Sequence, residues 1–268
     1  MTTTAAAATS TAPPARRGSA SFRLSDLIAR HHHGRNTVFV SDAVLGQRGT
    51  GDDPVLYTAH RDYLPCRRLL DTDWFADLVE YQPGVLSGGE LHRSTGHWNT
   101  PTQLEVFQTL TGRTLMITAW RTADGRQTLR YQECPAGSLA AIPFGGWHLT
   151  LVLDGPAAVV NFYTDLPTTR HPAVKREDAN ADKYRRAPAV EVTAILTQDG
   201  YQLAGPGLAA WGPAQKTTEP AWLRRALHGA NLADFYRKGD RSKLASLIGH
   251  ARRRLPAHSP LHLVTENR

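Results

Sequence analysis

Residues 95–112 read TGHWNTPTQLEVFQTLTG, and the fold turns on how they are read. A histidine, an asparagine, a glutamine and a glutamate (His97, Asn99, Gln103, Glu105) fall within nine positions, followed by a strand-like run that ends at Gly112. Alternate residues of a strand share a face. LEVFQTL therefore groups Glu105, Phe107 and Thr109, with Gln103 on the same parity. The preceding GELHRSTGHWN groups Arg93, Thr95, His97 and Asn99, and the later GSLAAIPFGGWHLTLV groups His148, Thr150 and Val152. If these faces line a barrel, His97, Glu105 and His148 meet inside it, with Asn99 or Gln103 nearby. Two neutral imidazoles and one carboxylate with open positions suit Fe, Mn, Ni or Zn.

The same strand chemistry extends in both directions. From residue 54 to 213 the chain is a series of short runs rich in β-branched and aromatic residues, among them PVLYTAH, TLMITAWRT, QTLRYQEC and AAVVNFYTDL. Gly, Pro, Asp and Asn break them,. Asp124-Gly125 and Asp199-Gly200 are hairpin dipeptides,. Eight or nine strands without helical patterns between them imply an all-β antiparallel sandwich or small barrel,.

On either side of this domain the pattern changes. Residues 1–20 are low-complexity Thr, Ala and Pro and read as disordered,. Residues 21–53 form a lead-in, in which SFRLSDLIAR predicts a short helix with Ser25 as its cap and the HHH at 31–33 reads as a solvated loop,. Residues 214–268 form a basic helical extension. There Pro220 suits a first turn, and Ser242 is placed to cap a helix whose stripe is Leu244, Leu247, Ile248, Ala251 and Leu255,. The period predicts a helical hairpin.

The net charge of +7 is concentrated in this extension, with ten Lys or Arg against four Asp or Glu from residue 219 onward. These cations read as the solvated face of packed helices, which makes a nucleic-acid partner an unfavoured expectation. Cys66 and Cys134 are too few for a disulfide framework, and Cys134 reads as buried and inert,. No apolar run reaches the length of a membrane span or a signal-peptide core,. A cytoplasmic location without a membrane partner is the expectation.

At this point the sequence resembles the cupins, and among them the cupin-type phosphoglucose isomerases. The first cupin motif is matched by Gly96, His97, Asn99, Glu105 and Gly112, and the second by Gly137, Pro143, Gly145 and His148. DDPVLYTAH, VEYQPGVLSGGE, VVNFYTDL and VTAILTQDGYQL follow the isomerase pattern as well, over roughly residues 50–213. The resemblance implies a double-stranded β-helix that binds a divalent metal, Fe2+ first and Mn2+, Ni2+ or Zn2+ after it, through His97, Glu105 and His148. The family's remaining histidine is replaced by Asn99. The resemblance also implies proton transfer between C1 and C2 of an open-chain sugar phosphate, with Glu105 as ligand or base and Tyr163 as a second catalytic group. Ser94, Thr95 and Gly96 would bind phosphate, His171 matches a later motif by position, and the molecules would pair as homodimers.

Parity adds Arg93 and Gln103 as substrate-binding candidates, with Arg93 suited to a phosphorylated or carboxylated small molecule. Three functions stay open: a metal-dependent isomerase, an Fe(II)-dependent oxygenase or oxidase on the same ligands, and a non-enzymatic sensor that uses the basic extension.

Overall fold

The computed structural model describes residues 18–33, 38–47, 51–68, 72–165 and 188–258. His171 therefore lies outside the described residues, as does most of the segment expected to be disordered. Eleven strands are described: β1 (Ser19–Arg23), β2 (Val55–Arg68), β3 (Asp73–Tyr81), β4 (His97–Trp98), β5 (Glu105–Arg121), β6 (Gln127–Pro135), β7 (Leu139–Ile142), β8 (Trp147–Asp165), β9 (Thr193–Thr197), β10 (Gly200–Ala204) and β11 (Gln215–Thr217). Nine of them form one sheet in the order β1-β2-β3-β8-β5-β6-β11, with β4 added to β8 and β7 to β5; β9 and β10 form a separate hairpin. All pairings are antiparallel except that of β11 with β6. The described residues are mostly β, one mixed nine-stranded sheet and a separate hairpin, with helices gathered toward the C-terminus.

Two long strands close the barrel, and each joins two of the short runs seen in the sequence. In β5, Glu105–Gln108 pair with β7 and Arg113–Arg121 pair with β6, while β8 accompanies both halves. The register between β5 and β8 slips among Thr109, Thr111 and Arg113, beside Gly112 at φ +72. A Cβ at Gly112 would meet the Pro156 carbonyl oxygen at 2.4 Å, so only glycine fits,. A one-residue slip exchanges the two faces of a strand. Val106 is thus packed outside on the first half, and Leu115, Ile117 and Ala119 are packed outside on the second. β8 changes parity in the same way, from Leu149 and Leu151 outside to Val160 and Phe162 outside, across a stretch that contains Gly155 at φ +57.

Three apolar clusters seat the remaining elements on this frame. One end of the interior, with Phe107, Met116, Val152 and Val159, is plugged by Leu24, Leu27, Ile28, Val38, Val40 and Val44 of the lead-in. A second cluster joins the outer face of one wall to Val190, Val192 and Ala194, with Tyr201, Leu203, Leu208 and Trp211 packed against it. The third joins Trp74, Leu104, Val106, Val160 and Phe162 to the C-terminal helices through Leu223, Leu227, Leu232, Phe235, Tyr236, Leu244, Leu247 and Ala251. The extension is therefore part of the barrel's own packing.

Several local expectations are corrected. The histidines at 31–33 end the helix α1 (Leu24–His33) and do not form a loop; His31 Nδ1 lies 2.8 Å from the Val38 carbonyl oxygen. Ser25 lies inside that helix, and its main-chain N–H and hydroxyl both donate to Asp53. After α2 (Asp42–Leu45) and α3 (Gly207–Trp211), the C-terminal region forms three helices where a hairpin of two was expected: α4 (Ala221–Ala226), α5 (Leu232–Lys238) and α6 (Arg241–Arg254). His228 and Gly229, both at positive φ, break the first two apart. Asp240, not Ser242, caps α6: its carboxylate accepts from the Lys243 N–H at 2.9 Å and from the Ser242 hydroxyl at 2.7 Å,. An ionised carboxylate suits a helix N-terminus better than a hydroxyl does.

Candidate metal centre

β4 is only two residues long, and its register sets His97 opposite His148 and Trp98 opposite Trp147. Residues directly opposite in an antiparallel pair share a face, so both imidazoles point inward. Their ring centroids are 4.3 Å apart, edge to face. Glu105 opens β5, opposite Tyr163 of β8. One ligand atom from each of His97, Glu105 and His148 lies within 4.8 Å of the others. Glu105 and His148 are 3% and 4% exposed, while His97 is partly open.

Amide donors hold the carboxylate in place. Glu105 Oε1 accepts from Asn161 Nδ2 at 3.0 Å, and Oε2 accepts from Gln103 Nε2 at 3.4 Å. His148 Nε2 is 3.8 Å from Oε2, beyond hydrogen-bonding range,. Two nitrogen donors and a carboxylate oxygen drawn together in this way fit a divalent ion,.

Asn99 continues the β4 register, its N–H donating to the Gly146 carbonyl at 3.0 Å, which places it on the His97 parity. It is buried, and neither side-chain amide atom has a hydrogen-bond partner. A buried amide in that state is costly without a further ligand. It does not, however, line the pocket around the triad.

That pocket encloses about 190 Å³. Of the sequence candidates, Ser94, Thr95, Gln103 and Tyr163 line it together with the triad. Arg93 and Gly96 do not. Arg93 is 1% exposed, and its Nε donates to Glu90 Oε1 at 2.5 Å; its other nitrogens donate to the carbonyls of Ser94 and Phe39. The cause is a slip in alternation. Arg93 bridges to the outward Leu151 while His97 pairs with the inward His148, and Gly96 between them takes φ +68. Gly96 has a backbone role, since a Cβ there would meet Trp147 at 2.8 Å. The Ser94 hydroxyl accepts from the Thr150 N–H at 3.1 Å.

Arg30, Arg61, Tyr57, Tyr81 and Asn161 also line the pocket. Arg61 Nη1 pairs with the fully buried Asp77 at 2.5 Å, and Tyr163 donates its hydroxyl to the same Asp77 oxygen at 3.2 Å. The other Asp77 oxygen accepts from the Asp62 N–H at 2.8 Å, with Asp62 in the left-handed region at φ 52. Burial pushes the Tyr81 phenol up to about 12, against the opposing influence of the Thr150 and Ser94 hydroxyls, so it stays protonated,. No motif in the sequence marked Arg30 or Arg61, because each reaches the pocket from an element outside the two metal-motif strands.

No family model matches the sequence, and no curated protein matches it. Among solved structures the chain is similar to a recombinant oxalate oxidase in complex with glycolate, at 16% identity over 42% of this chain and 61% of that one, with a TM-score of 0.28. It is similar to a cupin-superfamily sugar phosphate isomerase from Silicibacter pomeroyi, at 14% identity over 56% and 77%, with a TM-score of 0.30. A third is KdgF from a Halomonas species, at 12% identity over 41% and 78%, with a TM-score of 0.28. The chain thus spans about three fifths of the length of the oxalate oxidase it matches. These likenesses assign it no activity. Among the described residues no helix is long and apolar enough to cross a membrane.

Proposed function

We propose that this protein is a metal-dependent enzyme that moves a proton on a small, anionic hydroxy-carbonyl substrate, with isomerisation of a sugar phosphate as the leading reaction. The observation that carries this reading is the pairing, in one pocket, of a carboxylate held beside two imidazoles with a cationic wall made by Arg30 and Arg61. His97, His148 and Glu105 would hold the ion, with Asn99 as a fourth candidate. A bound divalent ion supplies Lewis acidity that makes a substrate hydroxyl and its neighbouring C–H easier to deprotonate.

The chain's own groups would do the rest. Glu105 takes the proton from one carbon and returns it to the next, and Asn161 and Gln103 keep its oxygens aimed,. The neutral Tyr81 hydroxyl donates to a substrate oxygen. Arg30 and Arg61 hold the anionic end, with Asp77 fixing Arg61 and orienting Tyr163,. The volume of about 190 Å³ suits a substrate of a few carbons,.

Deuterium wash-in at the carbon next to the carbonyl tests this, followed by proton NMR in D2O with metal-loaded protein and a series of aldose and ketose phosphates. Exchange by the wild type and not by Glu105→Gln supports the reading. Oxygen consumption without exchange overturns it in favour of the second reading, an Fe(II) oxygenase. That alternative is favoured by the composition of the triad, two histidines and one carboxylate with open positions,.

A further inference from the structure

A second cavity, of about 230 Å³, lies where strands β5, β6 and β7 meet the C-terminal helices. Its lining shares no residue with the pocket around the triad. Trp120, Thr118, Arg130 and Gln132 reach it from the sheet, and Trp222 and Arg254 reach it from α4 and α6. Among the described residues that line it there is no Asp or Glu, although two are arginines.

The Arg130 guanidinium carbon lies over the Trp120 ring, 4.8 Å from its centroid. Stacking fixes the plane of a guanidinium and leaves its in-plane N–H donors for a ligand. Arg130 Nε is buried and has no hydrogen-bond partner. A buried donor of a charged group left unbonded is expensive and calls for a missing acceptor. Arg254, on the last turn of α6, is exposed and brings a second cation from the opposite side. Two guanidinium groups without a carboxylate between them, flanked by a threonine hydroxyl and a glutamine amide, match the donor pattern that binds a phosphoryl group in bidentate fashion.

We infer that this cavity is a second ligand site, for the phosphate group of a small metabolite, that bridges the barrel wall and the C-terminal helices. It is independent of the chemistry proposed at the triad, yet it shares a wall with it. Arg130 pairs with Thr118, Thr118 with His148 and His148 with His97, a single row across four strands. A ligand seated on Arg130 and Arg254 ties the helical layer to the strand that carries His148.

The test is isothermal titration calorimetry of the full chain with inorganic phosphate at constant ionic strength. Arg61→Gln serves as the background, because Arg61 is proposed to hold an anion at the triad and would take up phosphate there. One saturable site is expected in it, lost when Arg130→Gln is added and weakened roughly tenfold when Arg254→Gln is added, because each removes a charge-assisted hydrogen bond. No saturable binding in Arg61→Gln overturns the inference, and so does binding that keeps its full strength when Arg254→Gln is added. Acetate competing as well as phosphate would overturn the phosphoryl assignment. If Arg130→Gln fails to fold, the exposed Arg254→Gln decides alone.

Discussion

Strands β5 and β8 each present two faces, and these belong to different parts of the molecule. The inward residues Glu105, His148, Asn161 and Tyr163 are buried among polar partners, the first three gathered at the Glu105 carboxylate and Tyr163 bonded to Asp77. The neighbours Val106, Val160 and Phe162, one position away, point outward and are buried under Leu227, Phe235, Tyr236 and Leu247 of the C-terminal helices. Tyr236 shows how firmly that layer is attached: its ring packs 4.6 Å from that of Phe162, and its hydroxyl donates to the carbonyls of Pro65 and Trp74. One strand therefore carries the candidate site on one parity and the packing against the helices on the other. The two faces should respond to mutation in opposite ways.

The sharpest contrast is Glu105→Gln. It is expected to lower turnover by about 10²–10⁴-fold while leaving the denaturation midpoint nearly unchanged. Steady-state rates and a urea melt on the same preparation measure both, and undiminished turnover would remove Glu105 from the mechanism. On the outer face, Phe162→Ala is expected to cost about 3–5 kcal/mol of stability by leaving a cavity. Metal content per folded chain should stay that of the wild type. A loss of metal at native-like stability would mean that the two faces are coupled.

Asn99 tests the boundary between the faces. Asn99→Leu is expected to weaken metal binding by about 10–100-fold, the range seen when supporting groups of a metal site are removed. Stability should change by less than about 1 kcal/mol, since the amide it replaces has no hydrogen-bond partner to lose,. Equilibrium dialysis against a metal buffer gives the first number; unchanged affinity would exclude Asn99 from the ligand set.

The smallest effect is on pH. Burial holds His92 and His258 below the ordinary histidine range, with Arg121 also lowering His258. Both are neutral in the fold at pH 7. An unfolded chain takes up their protons at about 6.5 while the folded chain resists. The stability they leave intact is complete above that pH and is lost as pH falls below it. Thermal midpoints between pH 7 and 5 should decline, and less steeply in His92→Gln; identical slopes would exclude His92 as a source.

Much of this was legible in the residues. Period-2 runs broken by Asp-Gly turns gave the all-β frame, and their parity grouped His97, Glu105 and His148. Arg93 failed for a local reason, because Gly96 breaks the alternation on which that parity rests. The runs LEVFQTLTG and TLMITAWRT look like two strands because Gly112 separates them, yet they are the two halves of β5. Arg30 and Arg61 carry no motif and could be found only from the cavity they line.

The sequence by itself determined what depends on neighbours along the chain: strand period, hairpin turns, the inward parity of the triad and the helical character of the extension. Only the tertiary structure decided what depends on register and closure. Bulges beside Gly112 and Gly155 switch the faces of β5 and β8, the lead-in seals one end of the barrel, and the extension covers the outer wall. A one-residue slip costs little locally but reverses every side chain beyond it, and only pairing with distant strands selects which register survives.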